Sequence, residues 1–346
     1  MEQKDKNSMK STTTNDNVWG IMKSLAILLV VLGHVTRMYT PQGLLHIGVY
    51  PSLIQYITSF IYSFHMPAFF AVSGAVYYIN KVEKGKYSNQ TYFILNKVKR
   101  LLVPYAFFAI LWVFPTMWIM GYVDNPFNYF FESYVLGLNT RHLWFLIVLF
   151  EIFIIFNTLF NFLNKHRILT LFLLIAVALF KDYAPSYFQI SNCCGYLLYF
   201  YIGFLMAPIL NRNLPTLRKI FKLLLIIVLF TWVVLNIALL QLSPNSIAKI
   251  PLATLAAVFG TSLLYLLCDK VGGAIYTIKF YRLLQNNSFG IYLFHPMIIY
   301  LFFYYTPFLW DYPYLLSITV FFISLFISLI LTLFFRKIKF DFALGE

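Results

Sequence analysis

The chain has 346 residues, of which 61% are hydrophobic, 20% aromatic and 11% charged, with a mean hydropathy of +0.76 and a net charge of +14. Soluble domains carry about 25% charged residues, so these proportions exclude a water-soluble fold, and they argue against a β-barrel, whose lumen-facing positions are polar at every second residue. The composition predicts an all-α, polytopic integral membrane protein, in which the excess of lysine and arginine is a topology signal and not a nucleic-acid-binding surface.

In chain order, residues 1–17 are rich in Ser, Thr, Asn and Lys and predict a disordered cytoplasmic tail. Apolar stretches long enough to cross a bilayer follow at residues 18–36, 53–80, 101–122, 142–163, 168–182, 190–210, 220–241, 250–268, 288–306 and 314–335, a count of about ten transmembrane helices. The first is interrupted by Lys23 and lacks a small-residue cleavage site, so it is read as a span and not as a signal peptide. The fifth is cut by Lys181 and Asp182 to a length that fits a tilted or re-entrant segment. Residues 18–335 form the transmembrane domain, and residues 336–346 a cytoplasmic C-terminal tail.

Lysine and arginine collect in cytoplasmic segments. With the N-terminus inside, 21 of them fall on the cytoplasmic side, among them Lys4, Lys6, Lys10, Arg212, Arg218, Lys219 and Lys222, and 4 fall outside: Arg37, Arg141, Lys181 and Lys249. Lys23 lies within the first span. This split predicts ten crossings with both termini cytoplasmic. Cys193, Cys194 and Cys268 lie in apolar stretches and read as small buried hydrophobes.

Ionisable residues inside a membrane are costly unless paired or facing a cavity, which makes them functional candidates. Lys23 and His34 lie eleven residues apart, three helical turns, on one face of the first helix. Taken alone, Lys23 reads as a snorkelling interfacial lysine and His34 as a histidine bonded to a neighbouring helix. In the second span, His65 stands beside the helix-kinking Pro67, while Ser73 and Gly74 permit close helix approach. Lys97 and Arg100, three apart on one face, suit phosphate binding as well as a positive-inside stop. The fourth span opens with Arg141-His142-Leu143-Trp144 and carries Glu151; Trp144 also fits an interfacial belt. His295 directly precedes Pro296.

The run Met22-Lys23 to Gly33-His34, the His65-Met66-Pro67 to Ser73-Gly74 stretch, Arg100 to Pro104, His142-Leu143-Trp144-Phe145-Leu146 and Gly290-Ile291-Tyr292 to His295 stand in the order of landmarks of the membrane acyltransferase-3 family, which the chain resembles across residues 20–300. It looks most like the standalone sugar and polysaccharide O-acetyltransferases of the fucose 4-O-acetylase kind. Lys23 stands where that family most often has Arg, and Lys97 replaces one of its paired arginines. The resemblance implies an enzyme that moves an acyl group, acetyl by preference, from cytoplasmic acyl-CoA to a hydroxyl of a cell-surface or lipid-linked glycan in a bacterial plasma membrane. Acetyl-CoA is then a co-substrate, with no bound cofactor and no metal expected. Histidine, titrating near neutrality, suits the base that takes the hydroxyl proton, a role the resemblance gives to His34. Lys23, Lys97 and Arg100 would bind acyl-CoA, and His65, Ser73, His142, Trp144, Glu151 and His295 would support the site or the acceptor. A glycan-intermediate exporter and a membrane sensor without chemistry are the other readings; against export, no internal repeat or pair of matching broken helices is present.

Overall fold

The computed structural model describes residues 2–210, 215–243, 246, 248–275 and 278–346, with backbone alone for 2–17, 210, 215–222 and 272–274. The predicted tail, residues 1–17, and the inner cations Lys4, Lys6, Lys10, Arg212, Arg218, Lys219 and Lys222 therefore lie outside the described side chains. Among the described residues every regular element is helical. We number them α1 (Val18–Arg37, the apolar part of a helix that begins at Glu2), α2 (Ser52–Glu83), α3 (Gln90–Ile119), α4 (Arg141–Thr158), α5 (Arg167–Leu179), α6 (Tyr187–Ile209), α7 (Leu223–Gln241), α8 (Lys249–Val271), α9 (Lys279–Tyr305) and α10 (Pro313–Lys337).

Nine of these, all but α5, are long and apolar enough to cross a bilayer. The tenth expected span, α5, has 13 residues, about 20 Å of helix against a hydrocarbon core of about 30 Å.

Two boundaries differ from the sequence reading. The third span was expected from residue 101, after the basic cluster, yet α3 begins at Gln90, where the Asn89 side chain accepts the Tyr92 backbone N–H at 2.9 Å. Long basic side chains reach water from within a helix end, so the cluster need not stop it. Widened π-turns at Val98–Leu102 and Ala109–Val113 precede Pro104 and Pro115, which have no N–H to offer the usual ladder. Within the expected fourth span, 142–163, the helix breaks at Leu159, where the backbone turns, and resumes over Phe160–Lys165. Pro67 and Pro296 lie inside α2 and α9.

The chain divides into two compact units. The first comprises residues 1–30, 59–86 and 199–286. In it α2 and α6 touch backbone to backbone: a Cβ on Gly74 would lie 1.9 Å from the Phe200 carbonyl oxygen, and one on Gly203 1.9 Å from that of Ala71. Trp232 of α7 packs on Phe60 and Phe64 and donates its indole N–H to Ser63 Oγ at 3.3 Å. Gly260 of α8 leaves room for the rings of Phe64 and Trp232.

The second unit comprises residues 31–58, 87–198 and 287–346. Here α10 presents the buried small residues Ser324, Ser328 and Thr332, of which Thr332 fills the space left by Gly290 on α9. Small residues let membrane helices approach where the hydrophobic effect gives no drive. The chain after α10 folds back through a short turn, Asp341–Leu344, with Ala343 and Leu344 buried. Phe340 and Phe342 join Phe107 and Phe335 in a ring cluster.

Candidate functional site

The site begins with Pro296. A proline within a helix removes one ladder N–H, here the one that would bond the Tyr292 carbonyl, and nearby carbonyls of α9 accept from other helices. On α9 the Leu293 carbonyl accepts from His142 Nε2 at 3.1 Å and the Phe294 carbonyl from Trp112 Nε1 at 3.3 Å. The Tyr292 hydroxyl donates in return to the His142 backbone carbonyl. These three bonds tie α9 to the start of α4 and to α3.

Three imidazoles meet there. His34 lies edge to face with His295, ring centroids 5.2 Å apart, and the His142 ring lies 6.3 Å from that of His295 and 5.5 Å from Tyr292. His295 is 0% exposed and His142 4%. Their tautomers follow from their partners, since a carbonyl oxygen only accepts. His295 Nδ1 faces the Ile291 carbonyl at 2.7 Å, so it carries the hydrogen, and the neutral ring keeps its lone pair on Nε2. His142 is the reverse, with the hydrogen on Nε2 and the lone pair on Nδ1. His295 Nε2 and His142 Nδ1 are both buried without a hydrogen-bond partner among the described residues. Two buried lone pairs without a hydrogen-bond donor among the described residues are candidate proton acceptors. No group of three or more His, Cys, Asp or Glu among the described residues is placed to hold a metal ion.

Next to this cluster the backbone is strained. Arg141 adopts φ +54°, a conformation unusual for a bulky residue. Its guanidinium carbon lies 5.9 Å from the centroid of Tyr122, whose hydroxyl donates to the Leu44 carbonyl at 2.8 Å. Burial raises the Tyr122 hydroxyl above its usual range, Arg141 works against that shift, and Tyr304 adds to it.

The other expected residues are placed as follows. Trp144 packs on Tyr196 with ring centroids 5.1 Å apart. Glu151 hydrogen-bonds the buried Cys193 thiol, while its Oε2 is buried without a partner. Cys193 therefore has a polar partner as well as an apolar setting. Lys97 lays its ammonium over the rings of Phe153, Phe93 and Tyr87, at 3.6, 5.3 and 5.5 Å from their centroids. Arg100 is exposed and donates Nε to the Gly345 carbonyl at 3.3 Å. Lys23, His65 and Ser73 belong to the first unit. There His65 Nδ1 donates to Ile61 O at 2.8 Å and Ser73 Oγ to Phe69 O at 2.9 Å.

Of the expected set, the second unit thus brings together His34, His142 and His295. Sequence reasoning missed Tyr292 and Trp112 as partners of this cluster. Tyr292 could have been suspected, because it lies one turn before His295 on the same face.

In comparisons with known proteins, neither curated proteins nor solved structures give a match. A family model described as an acyltransferase domain, of the acyltransferase-3 type, matches residues 19–337. That covers all the candidate residues and nearly the whole chain, which belongs to the membrane acyltransferase-3 family and carries an acyl-transferring domain.

Proposed function

We propose that this membrane acyltransferase moves an acyl group, acetyl by preference, from cytoplasmic acyl-CoA to a hydroxyl of a cell-surface or lipid-linked glycan at a bacterial plasma membrane. The observation that carries the reading is the convergence of half-buried His34 with the buried His142 and His295 in one cluster. A thioester is already activated, so the transfer needs a base for the attacking hydroxyl and donors for the oxyanion that develops.

In this reading His34 takes the hydroxyl proton as the carbonyl carbon is attacked. His295, edge to face with it, stabilises the imidazolium that forms, its buried Nε2 being a ready acceptor. The proton then passes to the departing CoA thiolate. Lys97 and Arg100 favour the phosphates of the donor, and Lys23, in the first unit, is by itself a further proposed acyl-CoA contact. Lys97, already on three aromatic faces, contributes mainly through its field, and exposed Arg100 through its bidentate fork.

The test is mass spectrometry of surface glycans, with and without mild base, from cells carrying the wild type, a deletion or His34→Ala. A base-labile acyl increment lost in both mutants, with glycan quantity unchanged and the variant present in the membrane, supports the reading and names the acyl group. Glycan lost from the surface with its decoration intact overturns it in favour of export.

A further inference from the structure

The cluster has a cationic neighbour that acyl transfer from CoA does not use. By the charge count only four lysines and arginines fall on the outer side, and two of them, Arg37 and Arg141, are both within electrostatic reach of Tyr300 of α9. Each is tied in sequence to a histidine of the cluster. Arg37 is three residues beyond His34 on α1, about 4.5 Å along the axis, and Arg141 directly precedes His142.

Three further observations point to a missing ligand. Arg141 Nε is buried without a hydrogen-bond partner among the described residues, and so is Oγ1 of the adjacent Thr140, which is 1% exposed. Arg141 holds a backbone conformation, φ +54°, that bulky side chains rarely adopt. The ring of Tyr122, fixed by its bond to Leu44 O, lies 5.9 Å from the Arg141 guanidinium carbon. A buried guanidinium nitrogen left unpaired is costly, and strain that persists is a mark of functional sites.

We propose that Thr140 and Arg141, with Arg37 and Tyr300, form a seat for an oxyanion carried by the acceptor: a carboxylate of an acidic sugar, or a phosphate of a lipid-linked one. The inference rests on the acyltransferase reading and adds the chemical class of the acceptor. A guanidinium meets carboxylate and phosphate oxygens with equal ease. An anion seated one residue from His142 and one turn from His34 would hold a hydroxyl of the same molecule near the imidazoles.

The test titrates the full chain in lipid nanodiscs with glucuronate, glucose and inorganic pyrophosphate by calorimetry, for the wild type, Arg141→Gln, Arg141→Lys and Lys181→Gln. Saturable binding of glucuronate or pyrophosphate, but not glucose, is expected. Arg141→Gln should weaken it at least tenfold, Arg141→Lys should restore part of the loss, and Lys181→Gln should leave it unchanged. Binding of glucuronate alone identifies an acidic glycan as the source, and binding of pyrophosphate alone a lipid-linked diphosphate. Equal binding of glucose and glucuronate with no pyrophosphate binding overturns the seat. So does an unchanged affinity in Arg141→Gln that elutes as wild type. Acyl transfer is assayed on the same preparations: oxyanion binding without transfer would sink the enzyme reading and leave the seat, whereas transfer without oxyanion binding would do the reverse.

Discussion

The imidazoles of His34 on α1 and His295 on α9 stand edge to face, 5.2 Å between ring centroids, although 260 residues separate them in the chain. His295 is oriented by its own helix through the Ile291 carbonyl, and α9 is tied to α4 through His142 and Tyr292. The pair is therefore held from several directions, as a base and its orienting partner must be.

If His34 is the base and His295 its positioning partner, their variants should differ in kind. Loss of a general base costs about 100- to 10,000-fold in rate, which is expected for His34→Ala across the whole pH range. His295→Gln keeps an amide near the Ile291 carbonyl but no imidazole beside His34. It should lose less, and its pH–rate profile should shift while the Michaelis constant for acyl-CoA stays near wild type. Transfer of labelled acetyl from acetyl-CoA, assayed against pH at matched amounts of folded protein, checks this; an unshifted profile in His295→Gln would remove it from the pair.

The α2–α6 contact makes a stability prediction independent of function. A Cβ on Gly74 or Gly203 meets backbone atoms at 1.9 Å, which cannot move as a flexible side chain could. Gly74→Ala and Gly203→Ala should each destabilise by at least the 1–3 kcal/mol, roughly, of an overpacked core. At Gly85, with φ +63° and open space around the missing Cβ, alanine should cost only the backbone strain, about 1–2 kcal/mol. Melting temperatures in detergent, read by fluorescence-detected size exclusion, should fall more for the first two than for Gly85→Ala.

Much of this architecture was legible in sequence, because the bilayer leaves so few options. Backbone polar groups must be satisfied internally, so long apolar runs mean helices, and the prolines at 67 and 296 lie inside two of them. Histidines inside apolar runs are expensive enough to stand out. The meeting of His34, His142 and His295 was not legible, since it depends on which carbonyls of α9 face the start of α4. Arg37 and Arg141 were read only as topology charges; a count of cations says which side they are on and nothing about which helix ends converge. The start of the third helix at Gln90 was also missed because a basic cluster resembles a stop, and the break at Leu159 within the fourth because apolar sequence continues past it.

The folded-back C-terminal segment holds two arginine contacts of unequal weight. Arg336 pairs with Glu346, whose side chain is 41% exposed, and also donates to Oδ1 of Asn287, which is 2% exposed. Exposed ion pairs contribute about 0–1 kcal/mol, whereas stranding a buried acceptor costs about 1–3 kcal/mol. Glu346→Gln should therefore lower the melting temperature little and Arg336→Met clearly more. Equal shifts would mean that the ion pair, and not the buried amide, secures the end of α10.

The short helix α5 decides the topology. Its 13 residues reach about 20 Å, too little for a bilayer of about 30 Å unless the flanking residues Lys181–Tyr183 extend the path or the membrane thins. The charge split still calls for a crossing here, because Lys165 precedes α5 and Arg167 opens it, while Lys181 follows it and carries an ion pair with Asp182 at 3.6 Å. A single cysteine placed at Ser186, in a chain with Cys193, Cys194 and Cys268 replaced by alanine, should thus react with a membrane-impermeant maleimide added to intact cells. One placed at Asn164 should react only after permeabilisation. If both cysteines are protected in intact cells, α5 is re-entrant: the loop before α6 lies inside, and the ends of the chain lie on opposite faces of the membrane.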